Sequence, residues 1–240
     1  MPAAGGDEDK RTNEIGMAIP LLAGCEISGK DITGDALLTQ RKLARYIVER
    51  QAHYHFTAKG NQPLLQRDIA ALFEQRGSAD FVEGPVLAHG RIETRRIWAS
   101  AALNDYLDFP HVGQVFVIER ESIDKKSGKR SCDIAHGLTS RTPQQASPQR
   151  LLALNRGHWA IESVHYLLDW NYDEDRGRIR TGFGPENITR LRRFATGILK
   201  AFQKPAQSIA AMMRALESKT RLVFDYLRMT KNSLTGPRPT

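Results

Sequence analysis

The sequence predicts a layered α/β protein, and two patterns carry the prediction. Helical and extended stretches alternate through the first third of the chain, as in a sheet flanked by helices. Residues 84–140 then hold successive strand patterns, so a β-rich, mostly antiparallel insertion into that sheet is expected.

Residues 1–12 are polar and glycine-bearing and are expected to be loose. Residues 13–83 form the first part of the α/β domain. Asn13–Leu22 fits a short helix, with Asn13 as N-cap and Ile15, Ile19 and Leu22 as its buried stripe. Ile27 and Ile32 suggest an extended segment that Gly34-Asp35 ends. An acid at a strand's carboxyl end is well placed to face a cleft. It is equally well placed to cap the next helix. Gln40–Gln51 is amphipathic, with Leu43, Tyr46 and Ile47 inside and Arg41, Lys42, Arg45 and Arg50 outside. His53–Ala58 is aromatic and β-branched enough for a strand, Lys59–Pro63 is a turn, and Leu64–Gln75 is a second helix.

In the insertion, His89–Trp98 alternates like a half-buried strand, and Gln114–Ser122 is a clear strand. Lys125–Arg130 is a basic hairpin tip, and Ser131–Leu138 returns as its partner. Arg141–Pro148 is a polar linker. Residues 141–202 supply a long helix from near Ser147 to about Trp170 and, after a charged stretch, an amphipathic helix over Pro185–Phe202. Ile188, Leu191, Phe194, Ile198 and Leu199 should face inward there, and Arg190, Arg192, Arg193 and Lys200 outward. Residues 203–240 hold a short helix, Ser208–Leu216, and a ragged tail.

The bulk chemistry narrows the partners. A net charge of +8 and a pI of about 9.7 favour a polyanion, most commonly nucleic acid. Cys25 and Cys132 match no zinc spacing and are expected to be buried or idle thiols in a reducing compartment. There is no apolar run near the roughly 18 residues of a membrane span and no signal-peptide pattern, so a cytoplasmic location is the expectation.

The helix over Asn155–Asp175 carries the chemistry. His158, Glu162, His165 and Asp169 fall at i, i+4, i+7 and i+11, on one face. Trp159, Ile161, Val164, Leu167 and Leu168 fill much of the rest. Buried carboxylates need a pairing, a hydrogen bond or a metal. The stripe reads either as a salt-bridged helix face or as a helix that carries an acidic metal ligand into a cleft. A structural metal site built on these four side chains is a third reading.

Several motifs, in order, resemble the DDE transposases of the H-repeat-associated (ISAs-type) branch of the insertion-sequence-4-like group. They are Lys10-Arg-Thr-Asn-Glu-Ile15 with Ala18-Ile-Pro20, Thr33-Gly-Asp-Ala-Leu37 with Gln40, and Ala58-Lys-Gly-Asn-Gln-Pro63. His89-Gly-Arg-Ile-Glu-Thr-Arg95 follows, then Arg156-Gly-His-Trp-Ala-Ile-Glu162 with Leu168-Asp169, Glu174-Asp175, Arg178 and Arg180, and Gly184-Pro-Glu-Asn187. The resemblance covers residues 10–202.

It implies an RNase H-like mixed sheet flanked by helices, incomplete at its N-terminal strands, and an insertion-sequence transposase that cleaves phosphodiesters and transfers strands with Mg²⁺ or Mn²⁺. The second acid of the family falls on Asp35 and the third on Glu162, which makes these the catalytic and metal-ligating residues. The first lies upstream, in an Asp-Gly-Lys-type motif, and the chain is expected to be truncated before it. Asp7 and Asp9 do not replace it. A catalytically inactive remnant that binds DNA without sequence preference is the alternative.

The Tyr-x2-Arg-x3-Glu-x6-Lys signature of the larger group is altered here to Asn155, His158, Glu162 and Asp169, so His158 and Asp169 take supporting roles. Ile134-Ala-His-Gly-Leu138 replaces a tyrosine-rich strand, and Gly137 should weaken it. Lys59, Asn61, Gln62, Arg91, Arg95, Arg96, Arg178, Arg180, Arg192 and Arg193 are the expected DNA contacts. Glu93 is an alternative salt-bridge partner for its neighbouring arginines. A homodimer in a synaptic complex and a nucleoid-associated protein complete the expectation.

Overall fold

The computed structural model describes residues 7–88, 90–158, 172, 176–204 and 207–230. It divides into two compact units, Met1–His158 and Trp159–Thr240.

The first unit is built on one six-stranded sheet. Its strands are β1 (Asp31–Gly34), β2 (His53–Ala58), β3 (Phe81–Ala88), β4 (Arg91–Ser100), β5 (Gln114–Asp124) and β6 (Arg130–Thr139). Their order is β1-β2-β6-β5-β4-β3. β1 and β2 are parallel and every other pair is antiparallel, so the sheet is mixed. The last strand of the expected insertion, β6, pairs with β2 and makes the α/β part and the hairpins one continuous sheet. Among the described residues β1 has a strand neighbour on one side only.

Because side chains alternate along a strand, register decides which residues share a face. Asp31 and Thr33 stand opposite His53 and His55, while Ile32 and Gly34 stand opposite Tyr54 and Phe56. On the second of these faces Tyr54, Phe56, Ala58, Val115, Val117 and Leu138 form the main core. It is covered by α1 (Asp7–Ala23) through Ala18, Ile19 and Leu22, and by α2 (Arg41–Glu49) and α3 (Pro63–Leu72) through Leu43, Ala44, Ile47, Leu65 and Ile69. The opposite face buries Ile97, Phe116 and Ile118 under Leu151, Leu152 and Leu154 of α4 (Pro148–His158). Each such side chain, fully buried, contributes roughly 1.5–3 kcal/mol. Two apolar faces with helices on both sides give the three-layer arrangement that the alternating pattern predicts.

Several expectations need correction. α1 begins at Asp7, inside the stretch expected to be loose, and Asn13 lies within it rather than at its cap. Going back from Asn13, the first helix breakers are Gly5 and Gly6, so nothing in the sequence stops the helix sooner. Gly137 does not interrupt β6. A Cβ there would lie 2.3 Å from the Phe116 ring and 2.6 Å from the Phe56 carbonyl, so the strand needs glycine for close approach. Cys25 and Cys132 are exposed thiols. Among the described residues, no helix is long and apolar enough to cross a membrane.

The second unit contains α5 (Gly184–Phe202), α6 (Ile209–Ser218) and α7 (Thr220–Tyr226). Ser208 caps α6 by accepting the Ala211 N–H at 3.1 Å. α7 corrects the expectation of a ragged tail across residues 220–226. Leu199 of α5 packs with Ile209 and Met212, but Leu191 and Phe194 are exposed, against the inward stripe expected of them. α6 meets the last turns of α5, so only the C-terminal part of the stripe is covered within this unit.

Candidate functional site

β1 ends at Gly34, and Asp35 stands exposed immediately after it. A Cβ on Gly34 would lie 2.9 Å from the Phe56 ring, so the strand is held tightly against β2 just before the acid. Asp35 does not cap α2. That position belongs to Gln40, and Asp35 Oδ1 instead accepts the Leu38 N–H at 3.2 Å within its own turn.

The turn is braced by side chains. Thr39, fully buried, shares its one hydroxyl proton between the Thr57 carbonyl (2.6 Å) and the Asp35 carbonyl (3.1 Å). Asn61 Nδ2 donates to the Ala36 carbonyl (2.5 Å), Gln40 Nε2 to that of Leu37 (3.0 Å) and Gln62 Nε2 to that of Thr39 (2.9 Å). The Leu38 carbonyl accepts the Gln40 N–H at 2.8 Å. Every carbonyl from Asp35 to Thr39 is thus satisfied, as a turn packed against a sheet end requires.

The opposite face of β1 is polar and lies under α4. Asp31 Oδ1 accepts from Arg141 Nε at 2.5 Å, and its Oδ2 from Arg150 Nη2 at 2.9 Å. Burial pushes the Asp31 carboxyl up, but the hydrogen bonds and charges of Arg141 and Arg150 outweigh it and hold it below its ordinary value. Two residues on, Thr33 Oγ1 lies 3.1 Å from His158 Nδ1, the last residue of α4 described. Beside Thr33 sits His55, 2% exposed and stacked on Phe116 at 4.5 Å between ring centroids. Neither of its ring nitrogens finds a partner among the described residues, and burial pushes its pKa down to about 3. His55 is therefore a neutral ring.

Glu162, His165 and Asp169 lie outside the described residues. Among the described residues no group of three or more His, Cys, Asp or Glu side chains could hold a metal ion. The basic residues differ in how they are engaged. Lys59, Arg91, Arg178, Arg180 and Arg193 are exposed. Arg95 is paired with Glu93 and with Glu83 (3.6 Å), and Arg96 with Glu119 (3.1 Å) and Glu121 (3.3 Å). Arg192 donates to the Tyr172 carbonyl at 3.0 Å. Asn61 and Gln62 use their amides on the Asp35 turn.

Asp31, Thr33, Thr39, His55, Arg141 and Arg150 escape a reading by sequence. Only Thr33 lies in a quoted motif, and a buried threonine or an ion pair across more than a hundred residues has no periodic signature.

A comparison with protein families matches residues 6–191 to the family described as "Transposase DDE domain". Among curated proteins the chain is 27% identical over 203 residues to "Putative transposase YncI" of Escherichia coli O157:H7, covering 80% of this chain and 51% of that protein. It is 33% identical over 144 residues to "Uncharacterized protein in dhlA 3'region" of Xanthobacter autotrophicus, covering 56% and 47%. It is 26% identical over 206 residues to "H repeat-associated putative transposase YhhI" of Escherichia coli K12, covering 80% and 53%. The chain spans about half the length of these relatives.

Proposed function

The chain belongs to the transposase DDE domain family, and from that premise we propose that it contributes two acids, Asp35 and Glu162, to the metal-dependent phosphodiester chemistry of a DNA transposase. The hydrogen bond between His158 and Thr33 carries this reading. Contacts between α4 and β1 advance in one direction along both elements, Arg150 to Asp31 and then His158 to Thr33. Asp35 follows Thr33 by two residues, just past the end of β1, and Glu162 follows His158 by four residues in the sequence. That nearness along the chain to a contacting pair supports taking Asp35 and Glu162 together as the second and third acids.

Asp35 fits a divalent cation. It is exposed at a strand end, one oxygen is fixed by the Leu38 N–H, and carboxylate oxygen is the donor that Mg²⁺ or Mn²⁺ prefers. Asp35 and Glu162 would hold the cation. Bound, it supplies positive charge that activates a nucleophilic oxygen and stabilises the leaving one. His158 holds α4 to β1 and is a positioning residue. Asp169 is assigned an outer carboxylate role on the same face at helical period.

DNA is the proposed partner. Lys59, Arg91, Arg178, Arg180 and Arg193 are exposed and suited to phosphate contacts. Arg192 lies one position before Arg193, and Arg95 and Arg96 would exchange carboxylate for phosphate partners. A synaptic homodimer belongs to the same proposal.

The test is proximity. Cys25 and Cys132 are first replaced by serine, and Asp35→Cys is then combined with Glu162→Cys. A short bifunctional thiol reagent that spans the reach of the two acidic side chains and a cation between them, roughly 10 Å, is expected to join the two positions, read on a denaturing gel. No cross-link with that reagent, with both thiols shown to be reactive and the chain folded by circular dichroism, overturns the assignment.

A further inference from the structure

We propose that Thr39, Asn61 and Gln62 are positioning residues that fix the Asp35 carboxylate for its cation. The inference rests on the reading of Asp35 as a metal ligand. Asp35 follows a four-residue strand and precedes α2, so neither element holds its peptide. The brace does. Because β1 and β2 are parallel, their ends lie side by side, and the turn after β2 sits next to the turn after β1. Asn61 and Gln62 reach across from that second turn to the carbonyls of Ala36 and Thr39, 25 and 23 positions earlier in the chain. Thr39 bridges the two strand ends, sharing its hydroxyl proton between Asp35 of one and Thr57 of the other.

Their joint effect is on the carboxylate. Holding the Ala36 and Thr39 carbonyls fixes the 36–37 and 39–40 peptides, which bracket the Leu37–Leu38 peptide whose N–H reaches Asp35. The Leu38 N–H then holds Asp35 Oδ1, and the exposed residue keeps its second oxygen for a ligand. A ligand oriented in this way before binding loses less freedom when the cation arrives. Asn61 and Gln62 were expected at the DNA backbone. Each has an amide donor engaged on this turn, and through it each adds to the orientation of Asp35.

The experiment is a Mn²⁺ titration of the purified chain, with free Mn²⁺ read by electron paramagnetic resonance and folding checked by circular dichroism. Thr39→Val, Asn61→Ala and Gln62→Met are each expected to weaken Mn²⁺ binding about 10-fold or more, as loss of an outer-shell partner does. Thr39→Ser, which keeps the hydroxyl, is expected to bind as the parent chain does. Asp35→Asn is the control and should abolish the same site. If Asn61→Ala and Gln62→Met stay folded and bind Mn²⁺ normally while Asp35→Asn does not, the brace is overturned and the metal role of Asp35 stands. If binding survives Asp35→Asn, or the parent chain binds no Mn²⁺, the metal role fails and the inference with it. Should Thr39→Val not fold, the other two variants decide, since Asn61 is exposed and Gln62 only half-buried.

Discussion

Replacing His55 by phenylalanine should flatten the acid sensitivity of this protein. His55 is fully buried, stacked on Phe116 and without a hydrogen-bond partner among the described residues, and burial depresses its pKa to about 3. In the unfolded chain it titrates near 6.5. Between those values the unfolded state binds the extra proton, so stability is full above about pH 6.5 and falls as pH drops toward 3. The slope is about 1.4 kcal/mol per pH unit, which makes the loss from this one ring about 2 kcal/mol at about pH 5 and roughly 5 kcal/mol by pH 3. Phenylalanine keeps the ring and its stacking and removes the titration. Urea unfolding at about pH 7.5 and about pH 5 measures the difference. The parent chain should lose about 2 kcal/mol more than His55→Phe across that interval. Equal losses in both chains would mean that His55 takes its proton without unfolding, and the account of a buried neutral ring would be refuted.

Three further outcomes follow. Asp31→Asn should lower the unfolding free energy by about 3 kcal/mol at neutral pH, because it leaves the two arginines without their carboxylate, and thermal melts will show it. Since the Asp31 pKa is depressed in the fold, that contribution is present at neutral pH and is lost on acidification through the folded-state value, so the two melts should converge in acid. Gly137→Ala should destabilise by about 1–3 kcal/mol, read by denaturant titration, because its methyl group would meet the Phe116 ring and the Phe56 carbonyl. Arg178→Ala and Arg180→Ala should each weaken binding to duplex DNA uniformly across sequences and reduce the salt slope by about 1, measured by fluorescence anisotropy.

The parts of this fold legible in the sequence are those whose cause is local. α2 follows from Leu43 and Ile47 at helical spacing, and β5 from the continuous β-branched and aromatic run Val115–Ile118, buried on both faces of the sheet. Asp35 is legible for the same reason, since a strand followed by Gly-Asp places an acid at a strand end. What the sequence hides depends on pairing. Arg95 and Arg96 read as a basic patch along the chain, yet antiparallel register sets Arg95 opposite Glu83 and Arg96 opposite Glu119, which turns the patch into ion pairs. Leu191 and Phe194 have the spacing of a core stripe, but spacing does not say where α6 docks.

The same distinction separates the two halves of the candidate site. A metal-binding acid must be reachable, so its residue type and its place at a strand end are visible in one dimension. The groups that aim it form a three-dimensional set. Thr39, Asn61 and Gln62 hold backbone carbonyls, and any residue type offers a carbonyl, so the recipient leaves no trace in the sequence. Polar residues in a turn after a strand suggest solvent or phosphate when read alone. Parallel pairing of β1 and β2 brings that turn to Asp35, and only then do its amides acquire a different partner.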